Sequence, residues 1–242
     1  MAQLVFNGAS LLFPTRSSIN KGGIGGKIIK RDKRNYVCSV DNLSLTIKNG
    51  DRVALIGQNG SGKSSLLRLA AGIYTPTSGS VSASGKIATL FSTTVGLSLE
   101  ASAKNNIRDA AILFGIPKSK IDKLVEEIIE FSELQNFSDM PMRLYSSGMR
   151  ARMGYGLATS QNSEILLIDE VFGTGDAKFY AKAKTRLEKK MEESCILLMA
   201  THSENIIKSF CNKAIWMHKG KLMGFGDVSE TLENYKSFTL HE

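Results

Sequence analysis

At 242 residues, with 42% hydrophobic residues and a formal charge of +8, the chain is long enough for one large α/β domain or two small ones. Its apolar stretches are short and interrupted, which excludes a spanning helix of roughly 20 apolar residues; Cys38, Cys195 and Cys211 are too few and too scattered for a disulfide framework or a zinc site. The charge admits an anionic partner, whether nucleic acid, phospholipid headgroups or nucleotide phosphates, without choosing among them.

Residues Met1 to Ser10 lack the basic start and apolar core of a secretory signal, so the cytosol is the expected address. Gly22, Gly23, Gly25 and Gly26 oppose regular structure, and the basic stretch Lys27, Lys30, Arg31, Lys33 and Arg34 behind them is expected to be a solvated loop, with an anionic surface as the alternative partner. Leu43 to Ile47 alternates as a strand, Lys48 to Asp51 turns, and Arg52 to Ile56 is a second, apolar strand. Leu66, Leu67, Leu69 and Ala70 recur at helical spacing between Ser64 and Ala71, with Gly72 as the stop, and a strand follows over Lys86 to Phe91.

The middle changes character. Ala101 to Phe114 and Ile121 to Phe131 read as amphipathic helices with no strand between them, so residues from about Gly96 to Tyr155 are expected to form a helical insertion. Beyond it, the apolar strands Ile165 to Ile168 and Cys195 to Ala200 flank a charged helix over Ala177 to Glu193, and strands alternating with helices predict a parallel sheet. Ala214 to His218 and Leu222 to Phe225, on either side of Lys219-Gly220, predict a hairpin, and a short helix ends the chain.

The chemistry starts at Gly57-Gln58-Asn59-Gly60-Ser61-Gly62-Lys63-Ser64, which fits the phosphate-loop pattern G-x-x-x-x-G-K-[ST] with a strand leading in and a helix leading out. Polyphosphate needs many donors close together. Glycines let successive backbone N–H groups turn inward, and the helix that opens near Lys63 points its positive end at the same anion. Lys63 is expected on the β- and γ-phosphate oxygens, and the Ser64 hydroxyl on Mg²⁺. The run Ile165-Leu166-Leu167-Ile168 delivers Asp169-Glu170 to the end of a buried strand. Neighbours on a strand point in different directions, so Asp169 can serve Mg²⁺ while Glu170 faces the attacking water as general base. The second apolar strand ends in Thr201-His202, which brings an imidazole to the same edge for the γ-phosphate or the water.

With these residues in place, Tyr145-Ser146-Ser147-Gly148-Met149 resembles the signature of the ATP-binding cassette family, usually Leu-Ser-Gly-Gly-Gln, and falls in the expected slot between the helical insertion and the acidic pair. The resemblance covers nearly the whole chain. It implies a P-loop NTPase (RecA-like) α/β core with an antiparallel β lobe and an inserted α-helical subdomain, together making one nucleotide-binding domain over residues 1–242. It also implies an ATPase that uses ATP and Mg²⁺. The expected nucleotide contacts are Gly57, Asn59, Gly60, Ser61, Gly62, Lys63, Ser64 and Ser65, with Phe13, preferred over Tyr36, stacking on adenine. Two copies would sandwich two nucleotides as a homodimer, Ser146 and Gly148 of one contacting the γ-phosphate held by the other, and Asp176 would couple the two sites.

The Tyr-Ser-Ser-Gly-Met form, Asp169-Glu170-Val171 and Gly175-Asp176-Ala177-Lys178-Phe179 resemble the branch that exports bacterial surface polysaccharide: O-antigen, capsule or teichoic acid. That likeness implies a separate transmembrane permease that carries the glycolipid, a peripheral position on the cytoplasmic face of the cytoplasmic membrane, no carbohydrate-binding domain on this chain, and no nucleic acid partner. The alternatives are a cassette ATPase of another exporter or importer, for drugs or lipids, and a non-transport cassette ATPase. The family's usual glutamine is missing between Gly85 and Glu100, and Ser92 or a neighbour is expected in its place.

Overall fold

The computed structural model describes residues 1–15, 27–31, 34–91, 96–169 and 177–240. Two compact units emerge, one formed by residues 1–89, 163–170 and 194–242, the other by residues 90–162 and 171–193.

The first unit contains two sheets. An antiparallel sheet has the order β2-β3-β1-β5, made by Gln3–Thr15 (β1), Lys27–Arg31 (β2), Arg34–Lys48 (β3) and Ser78–Ser84 (β5). The basic stretch expected as a loop is therefore a strand as far as Arg31, paired with β3 from Lys27↔Cys38 to Arg31↔Arg34. The correction has a physical basis: Ile28 and Ile29 supply two adjacent β-branched residues, and an edge strand tolerates flanking Lys and Arg, which also discourage pairing with other chains. Lys33 and the four glycines lie outside the described residues.

The second sheet has the order β10-β9-β4-β8-β7-β6, from Arg52–Ile56 (β4), Ile87–Leu90 (β6), Ile165–Asp169 (β7), Ile196–Ala200 (β8), Lys213–His218 (β9) and Lys221–Asp227 (β10). β4 runs parallel to both β8 and β9, and β7 runs parallel to β8. Every residue of β8 and the first four of β7 are buried, which is why both read as continuous apolar runs rather than alternating ones. Lys219 and Gly220 both adopt positive φ, at 47° and 83°, the conformation a two-residue hairpin turn requires, and they join β9 to β10 as expected. Helix α1 (Lys63–Ala70) follows β4, and α6 (Glu204–Phe210) and α7 (Val228–Leu240) complete the unit.

The second unit contains α2 (Ala103–Leu113), α3 (Lys118–Ser132), α4 (Ser147–Ala158) and α5 (Ala177–Glu193). Ala103, Ile107 and Ala111 of α2 meet Ile121, Leu124, Val125 and Ile128 of α3 in one buried cluster, to which Met153 and Leu157 of α4 belong. A second cluster is aromatic: Phe131, Tyr155 and Phe179 lie with ring centroids 5.4–6.3 Å apart, and the Tyr155 hydroxyl donates to the Ala183 carbonyl at 2.9 Å. Burial pushes the Tyr155 phenol pKa well above its ordinary value, so the hydroxyl stays a donor. α5 thus groups with the helices rather than with the sheet.

Candidate functional site

Register in the larger sheet decides what can meet. Leu55 is level with Ala200, and Asp169 is level with the same Ala200, so β4, β8 and β7 end in one row. Asp169 closes β7 in that row, and Gly57 and Thr201 follow directly on the ends of β4 and β8. This is the C-terminal edge of the parallel strands, where such sheets place their ligands.

From Gly57 the chain turns through positive φ at Gly57, Gly60 and Gly62, at 144°, 78° and 110°. Two of these glycines are also forced by contact. A Cβ on Gly57 would fall on the Met217 carbonyl oxygen, and one on Gly62 on the Ser39 carbonyl oxygen. The loop is pinned from the same two sides: the Gly220 amide donates to the Ser61 carbonyl at 2.9 Å, and the Asp41 amide donates to the Gly220 carbonyl at 2.8 Å. The hairpin turn and β3 therefore brace the loop, a tertiary arrangement that no local pattern announces. Gln58, Asn59 and Gly60 are exposed at its tip, and Ser65 is half-buried.

Lys63 is only 8% exposed, and its ammonium donates back into the loop, to the Gly57 carbonyl at 2.6 Å and the Gln58 carbonyl at 3.1 Å. A buried charge needs such partners. Ser61 is buried with no hydrogen-bond partner for its hydroxyl. Gly62 caps α1 without a side-chain bond, which leaves the first amides of the helix facing the loop. From the second residue of α1, the Ser64 hydroxyl donates to Asp169 Oδ1 at 3.2 Å, across to the end of β7. The spacing of Ser64 and Asp169 in sequence is 105 residues, and the fold closes it to one hydrogen bond.

Thr201 is buried and its hydroxyl accepts from the Ser203 amide at 3.2 Å, shaping the turn that carries the exposed His202 out of β8. Glu170 and Asp176 lie outside the described residues, as does Ser92. Phe13 and Tyr36 sit on neighbouring strands, but Phe13 pairs with Val37 and Tyr36 with Pro14, so the two rings leave opposite faces of the sheet. Phe13 packs edge-on against Tyr74 with ring centroids 5.4 Å apart. Tyr74, just past α1, was not among the expected residues; its only sequence mark is an aromatic close behind the helix stop.

In the helical unit, Ser146 is the N-cap of α4 and its hydroxyl accepts from the Met149 amide at 3.2 Å. Tyr145 is buried in the helical cluster and its hydroxyl donates to the Phe137 carbonyl at 2.6 Å; burial raises its pKa. Arg150 donates to the Tyr145 carbonyl at 2.6 Å. Ser146 and Ser147 are exposed, and a Cβ on Gly148 would meet nothing closer than the Ser146 hydroxyl at 3.9 Å. The turn is anchored by the buried Tyr145 and leaves Ser146 and Ser147 exposed.

Residues 40–173 match the family described as ABC transporter, more than half of the chain. The chain belongs to the ABC transporter family. It is an ATP-binding, ATP-hydrolysing cassette, and its likeness to named relatives extends well past the family match. It is 38% identical to the O-antigen export system ATP-binding protein RfbE of Yersinia enterocolitica over 91% of this chain and 96% of that protein. It is 35% identical to the teichoic acids export ATP-binding protein TagH of Bacillus cereus over 83% of this chain, which spans 36% of that longer protein. Among solved structures, a dimeric post-hydrolysis state of an ATP-binding cassette bound to ADP and Pi superposes with a TM-score of 0.68 at 20% identity, over 93% of this chain and 98% of that one. That likeness fixes the fold, a P-loop NTPase cassette. No helix among the described residues is long and apolar enough to cross a membrane.

Proposed function

We propose that this cassette drives an exporter of lipid-linked surface polysaccharide, acting as a homodimer beneath a separate permease on the cytoplasmic face of the membrane. The observation that carries the reading is the 38% identity to an O-antigen export ATP-binding protein along 96% of that protein's length, on a chain whose loop and acid converge at Ser64 and Asp169. In this reading residues 1–242 work as one nucleotide-binding domain, with residues of about 96–155 as its inserted helical part.

The braced loop, Gly57 with Asn59 to Gly62, binds the β- and γ-phosphates through its amides, and Lys63 exchanges two carbonyl partners for phosphate oxygens. A phosphate oxygen would also remove the cost, about 1–3 kcal/mol, of leaving the Ser61 hydroxyl buried without a partner. Ser64, Asp169 and nearby water fit Mg²⁺, a hard cation that takes oxygen donors and few protein ligands. Their oxygens already lie 3.2 Å apart. The ion supplies charge neutralisation on the phosphates when bound. Ser65 adds a donor in the first turn, Phe13 stacks on adenine beside Tyr74, Glu170 takes the proton of the attacking water, and His202 holds the γ-phosphate. Ser146 and Gly148 offer an uncovered helix start to the γ-phosphate of a second copy.

The test is to purify the chain with its permease, reconstitute both in vesicles, and follow a lipid-linked glycan and phosphate release together. Glycan movement that stops in Glu170→Gln, with ATP still bound, is the expected result. Vesicles that move a drug or simple lipid in step with hydrolysis, and no glycan, would overturn the substrate class.

A further inference from the structure

Asp169 has a second neighbour, outside the loop pattern. Arg68 lies four residues beyond Ser64 in α1 and so occupies the same helix face one turn on. Its Nη1 donates to the Ser64 carbonyl oxygen at 3.0 Å and stands 3.7 Å from Asp169 Oδ2, while Asp169 Oδ1 accepts from the Ser64 hydroxyl at 3.2 Å. Two residues of one helix therefore hold the two oxygens of one carboxylate. The Arg68 and Asp169 side chains are 33% and 13% exposed, so solvent screens their pairing only in part. A guanidinium also reaches from a flat, pre-formed fork.

We propose that Arg68 is a positioning residue for Mg²⁺, holding Asp169 Oδ2 so that Oδ1 is presented beside the Ser64 hydroxyl. It acts through Asp169 and touches neither nucleotide nor ion. This rests on the reading of Ser64 and Asp169 as the residues that hold the metal. Groups paired behind a metal ligand commonly matter about 10- to 100-fold in metal affinity. A cation close behind the ligand also repels a divalent ion. The two effects have opposite signs: loss of positioning weakens Mg²⁺ binding when Arg68 is removed, whereas relief of repulsion tightens it.

The experiment measures binding of a fluorescent ATP analogue to the full chain, in EDTA and across a Mg²⁺ titration. Arg68→Met keeps much of the aliphatic stem and removes the charge. It is expected to raise the Mg²⁺ concentration at the midpoint about tenfold while leaving the affinity in EDTA unchanged, and Arg68→Lys is expected to recover part of the shift. Added to Asp169→Asn, Arg68→Met is expected to shift the midpoint no further, because its effect passes through the carboxylate. Arg68→Gln replaces the methionine variant if that one does not fold. Should Ser64→Ala and Asp169→Asn leave the midpoint in place, the metal reading itself falls. Should those two move it while Arg68→Met leaves it unchanged or lowers it, the positioning role is overturned.

Discussion

The phosphate loop and the signature turn are both small-residue turns that open a helix, and they are built in opposite ways. In the loop, Gly57 and Gly62 are packed so tightly against the carbonyls of Met217 and Ser39 that no side chain fits, and Lys63 and Ser61 are buried. In the signature, Gly148 has room for a Cβ at ordinary contact distance from the Ser146 hydroxyl, Ser146 and Ser147 are exposed, and the cap is satisfied within the turn by that hydroxyl. Where backbone closes around a glycine, the protein itself needs that glycine. Where a Cβ would fit without a clash, the need must come from something outside the chain.

The largest expected effect is at Lys63. Lys63→Ala removes a preorganised cation from the developing charge, a loss of about 10²–10³ in turnover by analogy with other such donors; steady-state phosphate release checks it. Next come the glycines, which test the comparison directly. Gly57→Ala or Gly62→Ala is expected to cost about 1–3 kcal/mol for the positive φ alone, before the carbonyl contact is counted. Gly148→Ala is expected to change stability by no more than about 1 kcal/mol, in the favourable direction for a helix residue. Urea unfolding separates the two cases, and equal losses at Gly57 and Gly148 would erase the distinction. The smallest effect is at the cap: Ser146→Ala costs about 1 kcal/mol of helix stability, whereas Ser146→Asp keeps the cap and, by repelling phosphate, lowers turnover without unfolding.

Most of the site was legible because it is written in short local patterns. The loop is eight consecutive residues, and Asp169 ends an apolar run that only a buried parallel strand explains. The rest was hidden for identifiable reasons. Arg68 sits within a helical pattern where a charged residue needs no explanation, and its partner is 101 residues away in β7. The bracing by Ser39, Met217 and Gly220 is backbone contact between distant segments, which side-chain identity does not record. In the antiparallel sheet, the pairing of β1 with β3 shifts register between Phe6 and Ala9, Ala9 and Leu11, and Leu11 and Leu12, with the extra residue once on β1 and twice on β3, so alternation is interrupted on both strands. β5 is serine-rich and exposed along nearly its whole length, with no apolar face to detect. In α4, residues Met153 to Leu157 are buried consecutively, so the helix has no stripe of the usual period.

In the proposed homodimer each nucleotide site is completed by the signature of a second copy, which mixing two disabled chains can show or refute. Lys63→Ala disables the loop. Gly148→Asp places a carboxylate at a helix start, which suits the fold and repels phosphate. Each variant alone is expected to be inactive. Mixed in equal amounts, they form dimers in which one site carries both lesions and the other carries neither, and ATP turnover is expected to return in part. A mixture as inactive as its components, with both variants folded and associating, would contradict the shared site.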